Sequence, residues 1–292
     1  MKVLLTGGSG FIGRNVVEQL GGHCEILAPT HAELELTDAD AVAAWLRRHP
    51  VDAVIHAAVR PGHRNAADPS GQLDMNLRMF MNLTRCRESW GRMIYLGSGA
   101  IYGTQGDVMH VVEDGEGQGV PADDHGFSRY VIAALARQEP RVVELRPFGV
   151  FGRYEDYAIR FISNAICKAL FDLPVTLRQD RRFSYLYIDD LMPVLTHFLE
   201  GGTLGRAYNL VPEASDSLRD LADLVVAASG KELPVEVAQA GVGLEYTGDN
   251  ARLRAEMPGL RFTPTREAVE CLYGWYAAHE ESIVYERLLV DK

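Results

Sequence analysis

Lys2-Val-Leu-Leu-Thr6 running into Gly7-Gly8-Ser9-Gly10-Phe11-Ile12-Gly13 decides how the whole chain is read. A short apolar run enters three glycines spaced by three, and Ile12, Val16 and Leu20 then repeat at helical spacing. Strand, tight turn and helix follow in that order. Gly7 allows the turn, Gly10 lets the backbone approach a pyrophosphate without a Cβ in the way, and Gly13 lets the helix pack on the strand. The N–H groups that open the helix, Phe11 and Ile12 among them, then face the phosphates at the positive end of the dipole. A glycine triplet alone is weak evidence; one that follows a strand and opens a helix reads as a dinucleotide site.

The remaining sequence sets limits on that reading. A chain of 292 residues is long enough for one large or two modest domains. A net charge of −11 argues against general affinity for nucleic acid or an anionic membrane surface. Cys24, Cys86, Cys167 and Cys271 are scattered, with no CxxC pair, and the histidines show no metal-ligand grouping. No metal is expected. No apolar run approaches the ~18 residues of a membrane span, and no signal-peptide pattern precedes the first strand, so the expected location is the cytoplasm.

Further along, strands are expected over 24–28, 51–57, 93–96 and 141–146, alternating with helices over 38–48, 73–90 and 126–138. Thr37 or Asp38 is the N-cap of the first of these helices. Residues 103–124, rich in glycine and acid, read as a loop. The β-α alternation implies an α/β fold, a doubly wound parallel sheet with helices on both faces and ligands at the carboxyl ends of its strands. Past Pro147 the rhythm changes. A helix is expected over 161–170, a strand over 174–178, a helix over 191–199 capped by Asp189 and Asp190, and another over 218–229; the tail reads as mixed and short. This divides the chain into a dinucleotide-binding domain, 1–150, and a smaller C-terminal α/β substrate domain, 151–292, with 184–200 returning to pack on the first sheet.

Several motifs together resemble the extended short-chain dehydrogenase/reductase family of nucleotide-sugar epimerases, dehydratases and reductases, over nearly the whole length. They are Thr6-Gly7-Gly8-Ser9-Gly10-Phe11-Ile12-Gly13, His56-Ala57-Ala58, Asn76, Ser98-Gly-Ala-Ile-Tyr102-Gly103, Leu145-Arg146-Pro147 through Phe151-Gly152, and Tyr185-Leu-Tyr-Ile-Asp-Asp190. The run Thr30–Asp38 is similar to the corresponding stretch of GDP-fucose synthases and dTDP-dehydrorhamnose reductases. The resemblance implies a Rossmann-type sheet, NAD or NADP as cofactor, and a nucleotide-sugar substrate. It places Ala57, Ala58 and Pro147 beside the cofactor. It also makes Ser98 the hydroxyl at the reacting sugar oxygen and Tyr102 a neighbour of the substrate. Arg178, Arg181 and Arg182 stand where relatives hold a nucleotide diphosphate, a task that suits bidentate pairing. Arg153 and Asn164 are weaker substrate candidates. Relatives pair through two helices, which implies a homodimer with Phe80, Met81, Ile132 and Leu135 as apolar candidates.

One departure falls on the chemistry. The family carries Tyr-x-x-x-Lys at the start of the helix after the active-site loop; here that place reads His125-Gly126-Phe127-Ser128-Arg129. Tyr130 is no substitute, because five helical residues rotate a side chain by roughly 140°. His125 and Arg129 lie one turn apart on one helix face. His125 is therefore expected at the nicotinamide and the substrate oxygen, with its pKa lowered by the neighbouring cation, while Arg129 reaches the ribose. After the second strand the sequence Pro29-Thr30-His31 offers no carboxylate for ribose hydroxyls. A 2′-phosphate would pair with Arg14 and His31, favouring NADP, with Glu35 and Leu36 bordering the adenine. Two functions follow: a nucleotide-sugar enzyme with an altered acid–base pair, or a binding protein that has lost redox activity.

Overall fold

The computed structural model describes residues 1–60, 70–103, 105–114 and 119–290. The chain opens with β1 (Lys2–Thr6), α1 (Phe11–Leu20), β2 (Glu25–Leu27), α2 (Ala39–Arg48), β3 (Ala53–His56), α3 (Gln72–Arg85) and β4 (Arg92–Leu96). Asp38 caps α2 by accepting hydrogen bonds from the N–H groups of Asp40 and Ala41, at 2.9 and 3.0 Å. A 3₁₀ turn over Gly99–Tyr102 leads to β5 (Val108–Val111), α4 (Asp124–Ala136), β6 (Val142–Pro147), β7 (Gly149–Phe151) and α5 (Phe161–Leu170). Then come β8 (Val175–Asp180), β9 (Arg182–Phe183), β10 (Tyr185–Tyr187), α6 (Ile188–Glu200), β11 (Ala207–Leu210) and β12 (Asp216–Ser217). The chain closes with α7 (Leu218–Ser229), β13 (Val235–Val242), β14 (Tyr246–Gly248), α8 (Ala251–Glu256) and α9 (Thr265–Ala277).

The main sheet runs β11-β6-β4-β3-β1-β2, and every pairing in it is parallel. Its strands are buried on both faces, as their near-continuous apolar runs require. Val3, Leu5, Ala53, Ile55 and Ile94 point into one core, while Leu4, Val54, Met93 and Tyr95 point into the other. This is the period-2 alternation of a strand read twice, once for each layer of helices. From β2 the chain crosses back over β1 to reach β3. The strand order therefore reverses at β1, and a crevice opens beyond its carboxyl end.

Four features add to the sequence reading or differ from it. The expected loop over 103–124 contains β5, which pairs with β14 through Val108 and Tyr246. β11, from beyond residue 151, adds a sixth strand to the main sheet. Asp189 and Asp190 lie in the first turn of α6 and do not cap it; Tyr187 holds the cap position. Asp190 instead accepts bonds from the N–H and hydroxyl of Thr263, at 3.0 and 2.7 Å. The tail contains α9, 13 residues long, followed by two 3₁₀ turns over Glu280–Ser282 and Tyr285–Leu288.

A buried polar network joins the main sheet to the small sheet β12-β9-β14-β5. Glu144 and Arg146 share one face of β6, two residues apart, and pair at 2.7 Å. Arg146 also donates to the Tyr102 hydroxyl at 3.0 Å and to the Glu113 carbonyl at 3.1 Å. Tyr102 donates to Asn209 of β11 at 2.8 Å, and Asn209 donates to the Val111 carbonyl of β5 at 2.7 Å.

Candidate active site

The glycine turn is built by close approach. Gly7 has φ +76°, and a Cβ on it would lie 2.8 Å from the Ala58 nitrogen, so β1 and the segment after β3 meet only over a glycine. A Cβ on Gly13 would lie 2.1 Å from the Gly7 carbonyl oxygen. Gly10 is different: its Cβ would meet only the Gly7 oxygen, at 3.3 Å, so the space it leaves open lies outside the protein. Gly10 is also the N-cap of α1 and brings no capping side chain. Beside this turn is a cavity of about 240 Å³ lined by Gly7, Gly10, His31, Glu35, Leu36 and the Ala57-Ala58 pair. A glycine cradle at a helix N-terminus, opening on an apolar pocket, fits a dinucleotide.

The other expected cofactor residues fall as follows. Phe11 and Ile12 turn their side chains to the core, leaving their backbone at the helix start. Pro147 ends β6 in register with Leu210 and does not line this cavity. Arg14 has partners within the protein. Its Nε donates to the Ser9 carbonyl at 3.0 Å and its guanidinium lies over the Tyr154 ring, so it turns away from the cavity where a 2′-phosphate was expected. His31 does line the cavity, beside Glu35 at 3.7 Å. At the end of β3, His56 is buried. Thr6 Oγ1 accepts the Ala58 N–H at 3.2 Å and shares a hydrogen bond with His56 Nδ1 at 2.8 Å. Burial, and then the charge of Arg129, lower the His56 pKa to about 3.

Ser98 follows β4, and its Oγ accepts the Ala100 N–H at 3.1 Å. The first turn of α4 packs directly on the turn that follows: a Cβ on Gly126 would be 2.8 Å from the Ala100 carbonyl. His125, the preceding residue, therefore stands at the same end of the sheet as Ser98. Its imidazole is lowered to about 4, chiefly by burial, then by Arg129, with Arg160 adding to the effect and Asp123 opposing it. Arg129 is held inside the protein. It is only 5% exposed, and Nη1 donates to the Tyr95 hydroxyl at 2.7 Å while the guanidinium covers the Tyr95 ring. The side chain lies beneath the site as a fixed positive charge and is not extended toward a ribose. Its Nε is buried without a hydrogen-bond partner among the described residues. Tyr130 is 41% exposed and faces away.

On the C-terminal side, Arg178, Gln179 and Arg181 of the β8–β9 region line an open cleft of about 900 Å³ with Phe161, Leu218 and Glu236. Arg181 lies over the Phe183 ring, and its buried Nε has no hydrogen-bond partner among the described residues. The other four substrate candidates have partners within the protein. Arg182 is exposed and donates to the Ser215 carbonyl at 2.5 Å. Arg153 pairs with Glu18 at 2.9 Å and Asp189 at 3.3 Å, tying α1 to α6. Asn164 is buried and donates to the Tyr157 carbonyl. Tyr102 is buried, with its hydroxyl committed to Arg146 and Asn209. Two residues not anticipated from sequence reach the site: Arg160, whose charge bears on His125, and Tyr246, whose hydroxyl would lie 2.8 Å from a Cβ on Gly99, the residue after Ser98. Neither belongs to a local motif. Among the described residues no group of His, Cys, Asp and Glu is arranged to hold a metal, and no helix is long and apolar enough to cross a membrane.

The model of the NAD dependent epimerase/dehydratase family matches residues 3–210. A GDP-L-fucose synthase of Azorhizobium caulinodans is 39% identical over 106 residues, 35% of this chain and 34% of that protein. The chain thus aligns with about a third of that relative's length. A GDP-6-deoxy-D-mannose reductase of Pseudomonas aeruginosa is 25% identical over 270 residues, 87% of this chain and 84% of that protein. The fold is that of the Pseudomonas aeruginosa protein RMD, solved with NADPH: TM-score 0.79 and 21% identity, covering 95% of this chain and 99% of the other. These relatives and the glycine cradle at the β1 switch point lead to one conclusion: the chain belongs to the NAD-dependent epimerase/dehydratase family of Rossmann-fold, extended short-chain dehydrogenases.

Proposed function

We propose that this protein carries out an NAD(P)-dependent epimerisation, reduction or dehydration of a nucleotide-activated sugar, with His125 in the proton-carrying position. The observation that carries the reading is the placement of Ser98 and a neutral His125 at the carboxyl end of the parallel sheet that bears the glycine cradle. When bound, the dinucleotide supplies a hydride acceptor or donor. The chain's own residues do the rest. Backbone N–H groups after Gly10 hold the phosphates. His125, uncharged at neutral pH, accepts the proton of a sugar hydroxyl as that carbon is oxidised, and returns it in the reverse direction. Ser98 hydrogen-bonds the same oxygen. Burial, and then the charge of Arg129, keep the imidazole neutral, and Arg178 and Arg181 offer cations to a diphosphate in the open cleft.

Two copies are proposed to pair through α3 and α4. Phe80 and Ile132 are buried inside one subunit, so they drop out as interface residues; Met81 and Tyr130 are the exposed apolar groups, at 37% and 41%. Light scattering should give twice the chain mass at micromolar concentration, and a monomeric mass contradicts the pairing.

The relatives' names choose the probes. GDP-6-deoxy-D-mannose, GDP-L-fucose and, as controls, UDP- and dTDP-glucose are incubated with NAD or NADP, following nicotinamide absorbance and the sugar products. Conversion of at least one sugar is expected. Tight binding of dinucleotide with every sugar returned unchanged supports instead a protein that binds without turnover.

A further inference from the structure

Resting on the reading that the glycine cradle holds a dinucleotide, we propose that Arg14 is a positioning residue for the cofactor's pyrophosphate, locking the Ser9–Gly10 peptide so that its carbonyl cannot turn toward the phosphates. Three carbonyls of the turn lie next to the helix start. That of Gly7 takes the Gly10 N–H at 3.0 Å, and that of Gly10 takes the Arg14 N–H at 2.9 Å. The Ser9 carbonyl between them takes the Arg14 side chain, whose Nε donates at 3.0 Å. Ser9 and Gly10 line the cavity while Arg14 does not, so this bond draws the carbonyl to the outer side of the turn. A peptide group is planar and trans, so its N–H and its carbonyl point in opposite directions. The Ser9–Gly10 peptide is therefore held at both ends, through its N–H by Gly7 and through its carbonyl by Arg14. Glycine at position 10 would otherwise leave this peptide free to rotate, because no Cβ narrows its φ and ψ. A carbonyl turned into the cradle would set an acceptor against an anionic pyrophosphate, which needs donors.

The arginine is itself held from the C-terminal half. Its guanidinium carbon lies 5.7 Å from the centre of the Tyr154 ring, which makes a T-shaped contact with Trp275 of α9 at 5.3 Å between centroids. Tyr154 takes φ +71°, a left-handed conformation that a residue with a Cβ adopts only at a cost. Its neighbour anchors it there. The Arg153 carbonyl accepts from Nδ2 of the buried Asn15 at 2.9 Å, and the Arg153 guanidinium pairs with Glu18 at 2.9 Å. Residues 14, 15 and 18 of α1 are thus all engaged by 153 and 154. A guanidinium suits position 14 because Nε donates in its plane while its face rests on a ring. An ammonium carries the same charge without that plane.

Arg14→Met keeps an apolar stem and removes the donor. By calorimetry the dissociation constants of NAD and NADP are expected to rise by the same factor, about tenfold, the size of one charge-assisted hydrogen bond, because both carry the pyrophosphate. Arg14 is exposed, so the melting temperature should hardly change. Arg14→Lys, which keeps the charge, should lose as much as Arg14→Met. Tyr154→Leu should weaken both cofactors, with no further loss when added to Arg14→Met. A loss confined to NADP would make Arg14 a ligand of the 2′-phosphate and overturns the proposal. So does full affinity in either Arg14 variant, or a loss from Tyr154→Leu that simply adds to that of Arg14→Met. A second arm needs no cofactor. Hydrogen exchange at the Gly10 amide should quicken several-fold in Arg14→Met, and unchanged exchange overturns the proposal. If the unaltered protein binds neither NAD nor NADP, the dinucleotide reading fails, while exchange at Gly10 still decides whether Arg14 locks the peptide.

Discussion

His125 carries most of the chemistry at the scale of single residues, and its environment makes its protonation costly. Burial and Arg129 hold its folded pKa at about 4, against 6.5 for the free side chain. Between those values the unfolded chain binds a proton that the folded chain refuses, so stability rises with pH there and is lost as pH falls from 6.5 toward 4. His125→Phe should flatten that slope by up to one proton, measured as the pH dependence of the denaturation midpoint; an unchanged slope would mean that His125 titrates freely. The part of the slope left in the variant is expected from His56, whose window runs from 6.5 down to about 3. Gly10 gives the complementary test of the cofactor cradle. Its Cβ would meet little inside the protein, so Gly10→Val should leave the melting temperature nearly unchanged and abolish dinucleotide binding by calorimetry. Full affinity in a folded Gly10→Val protein would move the site elsewhere. Sequence alone shows which residues stand in these motifs, but not where a long polar side chain ends. Arg129 turns inward because Tyr95 is there to receive it, and Arg153 finds Glu18 and Asp189 on two other elements.

Among the elements, β6 connects the most parts of the molecule. Arg146, fully buried, joins Glu144 beside it on β6 to Tyr102 and the Glu113 carbonyl, and Tyr102 passes the connection to Asn209 on β11. Breaking a buried pair by removing one partner leaves the other charge without compensation, at a cost of about 3–5 kcal/mol. Arg146→Met should therefore lower unfolding stability by about that much in chemical denaturation. Arg146→Met with Glu144→Leu should recover part of the loss. Equal loss in the single and double variants would show that Glu144 is not what the arginine neutralises. The sequence announces β1, β3, β4 and α1 because their apolar periods are continuous over several residues. It conceals β5, β11 and β14, which are three or four residues long and gain their identity from distant partners. Val108 becomes a strand residue only by pairing beside Tyr246, a relation no local window contains. The same distance hid the Tyr246 phenol beside Gly99.

At the level of the whole molecule, two layers of helices cover a six-stranded parallel sheet whose outermost strand, β11, comes from the C-terminal half. The strand reversal at β1 puts the glycine cradle at the carboxyl edge of that sheet, and β4 and α4 bring Ser98 and His125 to the same edge. This convergence was legible in outline, since β-α alternation dictates where a doubly wound sheet binds its ligands. The split at residue 151 was less so, because β11 returns to the main sheet after the C-terminal elements have begun. The central claim is that this crevice transforms nucleotide sugars with an imidazole as its proton carrier. The most direct test is the pH profile of nicotinamide reduction with GDP-6-deoxy-D-mannose and NADP, for the unaltered protein and His125→Phe. The account predicts turnover that rises through a single ionisation well below the phenol range, near the lowered pKa of about 4, and that is lost in the variant. A profile governed by a group titrating near pH 10, or a His125→Phe protein as active as the original, would contradict it.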